Sequence, residues 1–156
     1  MKPAAIRLGD LSVGYLHSLA DAVEHLGHAA QPLLEHYGFD AARLAEPRAR
    51  LSIPRYMHLG HAAIVLTGEP ALGLVMGRFA YLHRLGLAGI AAGQAPTVRE
   101  AARTLIRFEA LYASNYRGRS SLQEDSSGAW LRFHSIGPYN AYNRFVVDTV
   151  LAAWLQ

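Results

Sequence analysis

The chain has 156 residues, of which 51% are hydrophobic and 17% charged, with a formal net charge of +3 and no cysteine. These values suit one globular domain and exclude a disordered chain, disulfides and thiolate metal sites. They also disfavour a membrane protein, because no apolar run approaches the roughly 20 residues that a spanning helix needs.

The positive charge does not indicate a nucleic-acid surface. Lysine occurs once, at Lys2, and the other basic residues are arginines spread from Arg7 to Arg144. A surface that binds nucleic acid concentrates its basic residues on one face or along one helix. We therefore expect no direct contact between this chain and DNA.

The first part of the chain has the spacing of helices. Apolar residues recur every three or four positions over residues 13–26, which predicts a helix that ends at Gly27. A short second helix follows Pro32 and ends at Gly38. Asp40 is a suitable N-cap for a third, because its carboxylate can accept from a free backbone N–H of the first turn.

Two further helices are predicted before residue 80. Ser52 is placed to cap a longer helix that ends at Gly68, and a short helix opens at Pro70. Gly73 and Gly77 lie four residues apart on this short helix. We interpret them as a site where two backbones pack closely.

The segment LGLAGIAAGQAPTVREA holds three glycines in a largely apolar run. Gly86, Gly89 and Gly93 fit neither the dinucleotide-binding fingerprint nor the P-loop, and no lysine is near to reach a phosphate. We therefore predict that these glycines permit close packing of an apolar segment and do not hold a phosphate.

The second half of the chain changes its pattern. Thr97 and Glu100 have the spacing of a capping box, which predicts an amphipathic helix to about Ser114. The segments YRGRSSLQE and AWLRFHSI alternate as strands do, and DSSG between them is typical of a turn. These residues predict a β-hairpin.

Residues from Tyr139 onward return to helical spacing. One flank of this last helix is predicted to pack on the protein. Val147, Leu151 and Leu155 lie on another flank, which we interpret as a dimer face. The expected fold class is α+β, with a helical N-terminal part, a β-hairpin in a small antiparallel sheet and a C-terminal helix packed against it.

Histidines suggest a metal site, but their placement disfavours it. A stripe of acidic residues and histidines runs along the first predicted helix: His17, Asp21, Glu24 and His28. It lies opposite the apolar face, so we interpret it as a solvent face. His58 and His61 lie on a helix with a broad apolar face. No serine or cysteine nucleophile motif is present, and we expect no metal, no cofactor and no catalytic residue.

Two segments in order resemble a known family. LSIPRYMHLGHAAIVLTGEPALGLVMGRF, followed by LGLAGIAAGQAPTVREAARTLIRFEALY, is similar to the N-terminal, arabinose-binding-like sensor domain of AraC-type transcription regulators. The turn in TGEPALGLVMG, the Leu-Gly and Glu-Ala of the second segment, and the gap between them carry the match. The resemblance covers residues 11 to about 155.

The resemblance implies a regulatory role. In that family the N-terminal domain binds a small-molecule effector and often forms dimers, and a C-terminal pair of helix-turn-helix motifs binds DNA. Residues 1–156 would be one regulatory domain, a fragment without that C-terminal half, and DNA would be contacted only through the missing part. The family implies a cytoplasmic protein, in agreement with the start MKPAAIRLGDL, which lacks the apolar core of a signal peptide.

Effector pockets are mostly apolar with a few converging polar groups. The candidates for such groups are Tyr56, His61, Arg78, Tyr81, Glu109, Tyr112 and Arg132. Among them, Glu109 lies beside the apolar stripe of its helix, where it either reaches the protein edge or faces an internal polar site. Two alternatives remain open: a dimerisation module without a ligand, whose core would be filled, and a small histidine-dependent metalloenzyme.

Overall fold

The computed structural model describes residues 8–135 and 137–156, and over these residues the chain is an α+β domain. The helices are α1 (Gly14–His25), α2 (Gln31–His36), α3 (Ala41–Leu44), α4 (Ile53–Thr67), α5 (Leu72–Gly77), α6 (Leu87–Gly93), α7 (Val98–Arg107) and α8 (Arg144–Ala153). The strands are β1 (Gly9–Ser12), β2 (Arg50–Ser52), β3 (Ala113–Asn115), β4 (Ser121–Asp125) and β5 (Gly128–Arg132). The expected fold class is confirmed. No helix of the described residues is both long and apolar enough to cross a membrane.

The main core forms where α1, α4, α5 and α8 meet. Its fully buried side chains include Leu16 and Leu19 of α1, Tyr56 of α4, Met76 of α5 and Phe145 of α8. The apolar face predicted for the first helix is therefore buried. The last helix, α8, thus shares one core with α1, α4 and α5.

Most of the predicted helix caps and ends are confirmed; the exceptions are the Ser52 cap and the predicted end of the Thr97 helix near Ser114. The Asp40 carboxylate accepts from the backbone N–H of Arg43 at 2.8 Å. Gly68 ends α4 in the left-handed region, with φ of 68°, where glycine has no steric penalty. Ser52 does occupy the N-cap position of α4, but its hydroxyl makes no capping hydrogen bond, because the residue also ends strand β2.

A three-stranded antiparallel sheet has the order β2-β1-β3 and was not predicted. Its formation also ends the predicted Thr97 helix early. That helix stops at Arg107, and the chain continues through a 3₁₀ turn, Glu109–Leu111, into β3. The backbone of residues 112–115 bonds to β1 instead, for example from the Ser12 N–H to the Tyr112 carbonyl at 2.8 Å.

The predicted hairpin is confirmed as the pair β4 and β5, which forms a separate two-stranded sheet. Asp125 and Gly128 pair directly across its turn. Glu124 links the hairpin to α7, because its two carboxylate oxygens accept from Arg99 at 2.5 Å and from Arg103 at 2.7 Å.

Close glycine packing positions α8. A Cβ on Gly73 would lie 2.6 Å from the Phe145 carbonyl oxygen, and one on Gly77 would lie 2.3 Å from the Ala152 Cβ. A Cβ on Gly89 would similarly lie 1.6 Å from the Leu82 carbonyl oxygen. The close-packing interpretation is thereby confirmed for Gly73, Gly77 and Gly89, and α8 is held directly against α5. It is wrong for Gly86 and Gly93, because a Cβ would meet nothing within 4 Å at Gly86 and only the Leu82 Cδ1, at 3.8 Å, at Gly93.

Candidate ligand-binding site

A cavity of about 460 Å³ lies between α7, the β4–β5 hairpin, the three-stranded sheet and α8. This volume is in the range of pockets that bind small molecules. Most of its wall is apolar, with side chains from several elements: Leu11, Ile53, Leu105, Ile106, Phe133, Val146, Val150 and Trp154. The elements that enclose it are distant in sequence, so the cavity exists only in the folded domain.

Among the described residues that line this cavity, Glu109 is the one with an acidic side chain. It begins the 3₁₀ turn that follows α7. Its carboxylate is held by Ser120, whose backbone N–H donates at 2.9 Å and whose hydroxyl donates at 2.6 Å. Glu109 therefore faces an internal polar site, the second of the two arrangements considered for it.

Two tyrosine hydroxyls accompany Glu109. Burial, and after it the negative charge of Glu109, raises the pKa of Tyr15 well above its ordinary value of 10. Burial also raises the pKa of Tyr112, with further contributions from Tyr15 and Glu109, and its hydroxyl donates to the Leu105 carbonyl at 3.2 Å. Both phenols thus stay protonated near neutral pH.

Four of the seven predicted ligand-binding residues line this cavity: Tyr56, Tyr81, Glu109 and Tyr112. Tyr56 is fully buried, and its hydroxyl contacts the Met76 sulfur at 3.3 Å. Tyr81 is half exposed, and its ring stacks on His83 with 5.7 Å between centroids. Their position is compatible with ligand contact, which stays a prediction.

The other three predicted residues lie elsewhere. His61 packs against the Tyr142 ring with 4.7 Å between centroids. Arg78 is exposed just after α5, so it shares no cavity with Glu109. Arg132 lines a second, more open groove together with Val147 and Leu151. The fold therefore does not bring these three side chains together with Glu109.

The sequence alone did not single out several residues of the cavity wall, among them Tyr15 and Asn143. Asn143 is buried, and its amide donates to the carbonyls of Gly137 at 3.1 Å and Pro138 at 2.5 Å. The NAYN segment, which ends at Asn143, is typical of a turn and cap and was a usable signal. Tyr15 carried no such signal, because it belongs to a helix assigned to the core.

The acidic and histidine stripe of α1 is engaged in structural contacts. The His17 ring lies 3.2 Å from the Leu44 carbonyl, and Asp21 forms an ion pair with Arg84 at 2.5 Å. Within residues 8–135 and 137–156, no group of three metal-ligating side chains comes together. The stripe is therefore not purely a solvent face, because two of its side chains, His17 and Asp21, contact other segments of the chain.

Residues 27–156 match the family described as the N-terminal arabinose-binding domain of AraC transcription regulators. The chain belongs to this family. A curated relative, the ornithine utilization regulator of Pseudomonas aeruginosa, is 30% identical over 145 residues. The match covers 90% of this chain and 41% of the relative, so the chain spans less than half of that protein's length. The resemblance stated from the sequence is confirmed, and the chain is a sensor-type domain of a transcription regulator.

Proposed function

We propose that residues 1–156 form one regulatory domain and that its cavity binds the small-molecule effector of an AraC-type regulator. The observation that supports this proposal most is the cavity of about 460 Å³ itself, with an apolar wall and Glu109 held inside it by Ser120. A module that only dimerises has no use for such a space, since packed cores leave few voids larger than a water molecule.

The mechanism we propose is a population shift. The cavity wall combines α7 and the hairpin on one side with α8 on the other, so an effector contacts elements from distant parts of the chain at once. An effector that prefers one arrangement biases the domain toward it by its difference in affinity. That arrangement would control a DNA-binding part outside this chain, in the cytoplasm where its promoter lies. The role is regulatory and not catalytic.

A thermal-shift screen with a metabolite library tests effector binding. Because a ligand that binds only the folded state stabilises it by mass action, a true effector raises the melting temperature with rising concentration. The library should include amino acids, ornithine among them, because the relative's name refers to ornithine utilization. Failure of every compound would contradict the proposal.

A pair of variants links any stabilisation to the cavity. Ala101 on α7 lines the cavity, whereas Ala91 on α6 is exposed and lies outside it. We expect Ala101→Phe to abolish the response to the effector by filling the space, and Ala91→Phe to retain it. Equal responses in the two variants would indicate binding elsewhere on the domain.

We also propose that the domain self-associates through α8. Leu151 and Leu155 are 48% and 86% exposed, and Val147 and Leu151 line the open groove beside the hairpin. Light scattering should give a dimer for the unmodified chain and a monomer for Leu151→Glu. Leu87→Glu is the matched control, since Leu87 is exposed on α6. A monomer of the unmodified chain at high concentration would refute this part.

A further inference from the structure

We propose that the effector has an apolar body and one protonated amine, that this amine binds Glu109, and that carboxylate-bearing effectors are selected against. The inference rests on the proposed function, because it assigns a ligand class to the same cavity. It depends on three features: the preset carboxylate, the tyrosine hydroxyls beside it, and the charges that line the wall.

The Glu109 carboxylate is oriented before any ligand arrives. The Ser120 hydroxyl donates to its Oε1 and the Ser120 backbone N–H donates to its Oε2. An ionised carboxylate offers about four acceptor positions, so about two remain for a ligand. Since a backbone group holds one oxygen, the acceptor is fixed in place, and the ligand does not have to order it on binding.

The neighbouring hydroxyls extend this polar end. Tyr15 lines the cavity, and its hydroxyl has no hydrogen-bond partner among residues 8–135 and 137–156. An ammonium group carries three donors and no acceptor, so it suits a cavity whose wall offers a carboxylate and phenol oxygens as acceptors. Aromatic rings in the same wall also attract a cation at short range.

The charges of the wall disfavour an anion. Within the described part of the chain, no arginine or lysine lines the cavity. Arg50 acts on Tyr15 electrostatically, but its guanidinium forms an ion pair with Asp10 at 2.5 Å and donates to the Leu111 carbonyl at 2.8 Å. A ligand carboxylate would lose its hydration beside Glu109, with no arginine or lysine among the described residues of the wall to replace it.

Three ligands that share one indole body test the assignment: tryptamine, tryptophol and indole-3-acetate. They differ in the terminal group, which is an amine, an alcohol or a carboxylate. By isothermal titration calorimetry, we expect tryptamine to bind about ten- to a hundredfold more tightly than indole-3-acetate, as hydrogen bonds to a charged group imply. Tryptophol should fall between them.

Variants assign the preference to Glu109. Glu109→Gln should reduce the preference for tryptamine over tryptophol to within about twofold, as expected when only the charge is lost. Ser120→Ala removes one donor that orients Glu109 and should weaken tryptamine binding while leaving tryptophol unchanged. Ser120→Ala also serves if Glu109→Gln does not fold. Glu100 is exposed on α7 and lies outside the cavity, so the matched control Glu100→Gln should retain the amine preference.

Two results would overturn this assignment: indole-3-acetate binding as tightly as tryptamine, or an amine preference that survives in Glu109→Gln. If none of the three indoles binds while another library compound stabilises the domain through the cavity, the amine assignment fails and effector sensing stands. If no compound of the library binds, the proposed function fails with it.

Discussion

Substituting Gly77 tests whether the close contact of α5 and α8 is needed for stability. Gly77 is the last residue of α5, and a Cβ there would lie 2.3 Å from the Ala152 Cβ. Carbon atoms pack comfortably at about 3.5–4.0 Å, so α8 would have to move outward by more than about 1 Å. Neither group can rotate away, because each is a methyl carbon bonded directly to its own Cα.

The expected magnitude follows from two opposing effects. Overpacking of this kind costs about 1–3 kcal/mol. Alanine offsets up to about 1 kcal/mol through its better helix propensity, and less at a helix end. We therefore expect Gly77→Ala to lower the free energy of unfolding by about 1–2 kcal/mol. The melting temperature should fall by about 2–8 °C, given about 2–4 °C per kcal/mol for a domain of this size.

Gly93→Ala is the matched control. Gly93 is the last residue of α6, and a Cβ there would meet only the Leu82 Cδ1, at 3.8 Å. This variant should be unchanged or stabilised by up to about 1 kcal/mol. Both variants are measured by urea unfolding and calorimetry. The reasoning is wrong if Gly77→Ala is as stable as Gly93→Ala, because the glycine would then not be required by the contact.

Three further predictions concern pH and a buried amide. The hydrogen bond from Arg99, helped by Arg103, lowers the pKa of Glu124, so its stabilising contribution is present above its ordinary pKa and is lost as pH falls through the lowered value. Urea unfolding should show Glu124→Gln less stable than the unmodified chain at about pH 7, with the difference shrinking as the pH falls below the ordinary pKa of a glutamate. A difference that stays constant with pH would contradict this. Burial raises the pKa of Tyr56 above its ordinary value of 10, so the folded domain should lose free energy of unfolding as the pH rises beyond that value. A phenolate absorbance titration should show fewer than the eight tyrosines ionising near that value, and all eight ionising there would contradict this. Asn143→Ala should cost about 1–3 kcal/mol in urea unfolding, because it removes two hydrogen bonds from the buried amide to the Gly137 and Pro138 carbonyls, at about 0.5–1.5 kcal/mol each. A cost near zero would mean that water replaces the lost bonds.

The sequence by itself determined the local elements and the family. The helical face of α1, the Asp40 cap, the left-handed end at Gly68 and the hairpin turn depend on residues close in the chain, so short-range patterns predict them. The spacing of Gly73 and Gly77 also predicted close packing, because two backbones that approach closely leave no room for a Cβ, whichever element the partner belongs to. Together with the order of two motifs, these features were sufficient to identify a regulator's sensor domain.

Only the tertiary structure decided the sheet and the composition of the cavity. Strands β1 and β2 have four and three residues, too few for an alternating pattern, and they form because distant segments pair. That pairing ends the Thr97 helix at Arg107 and turns Glu109 toward Ser120. It also separates the polar candidates, since Tyr112 enters the cavity wall while Arg78 remains outside. A helical or strand pattern shows which side of an element is buried. It does not show which other element covers that side, because this depends on contacts between residues far apart in the chain.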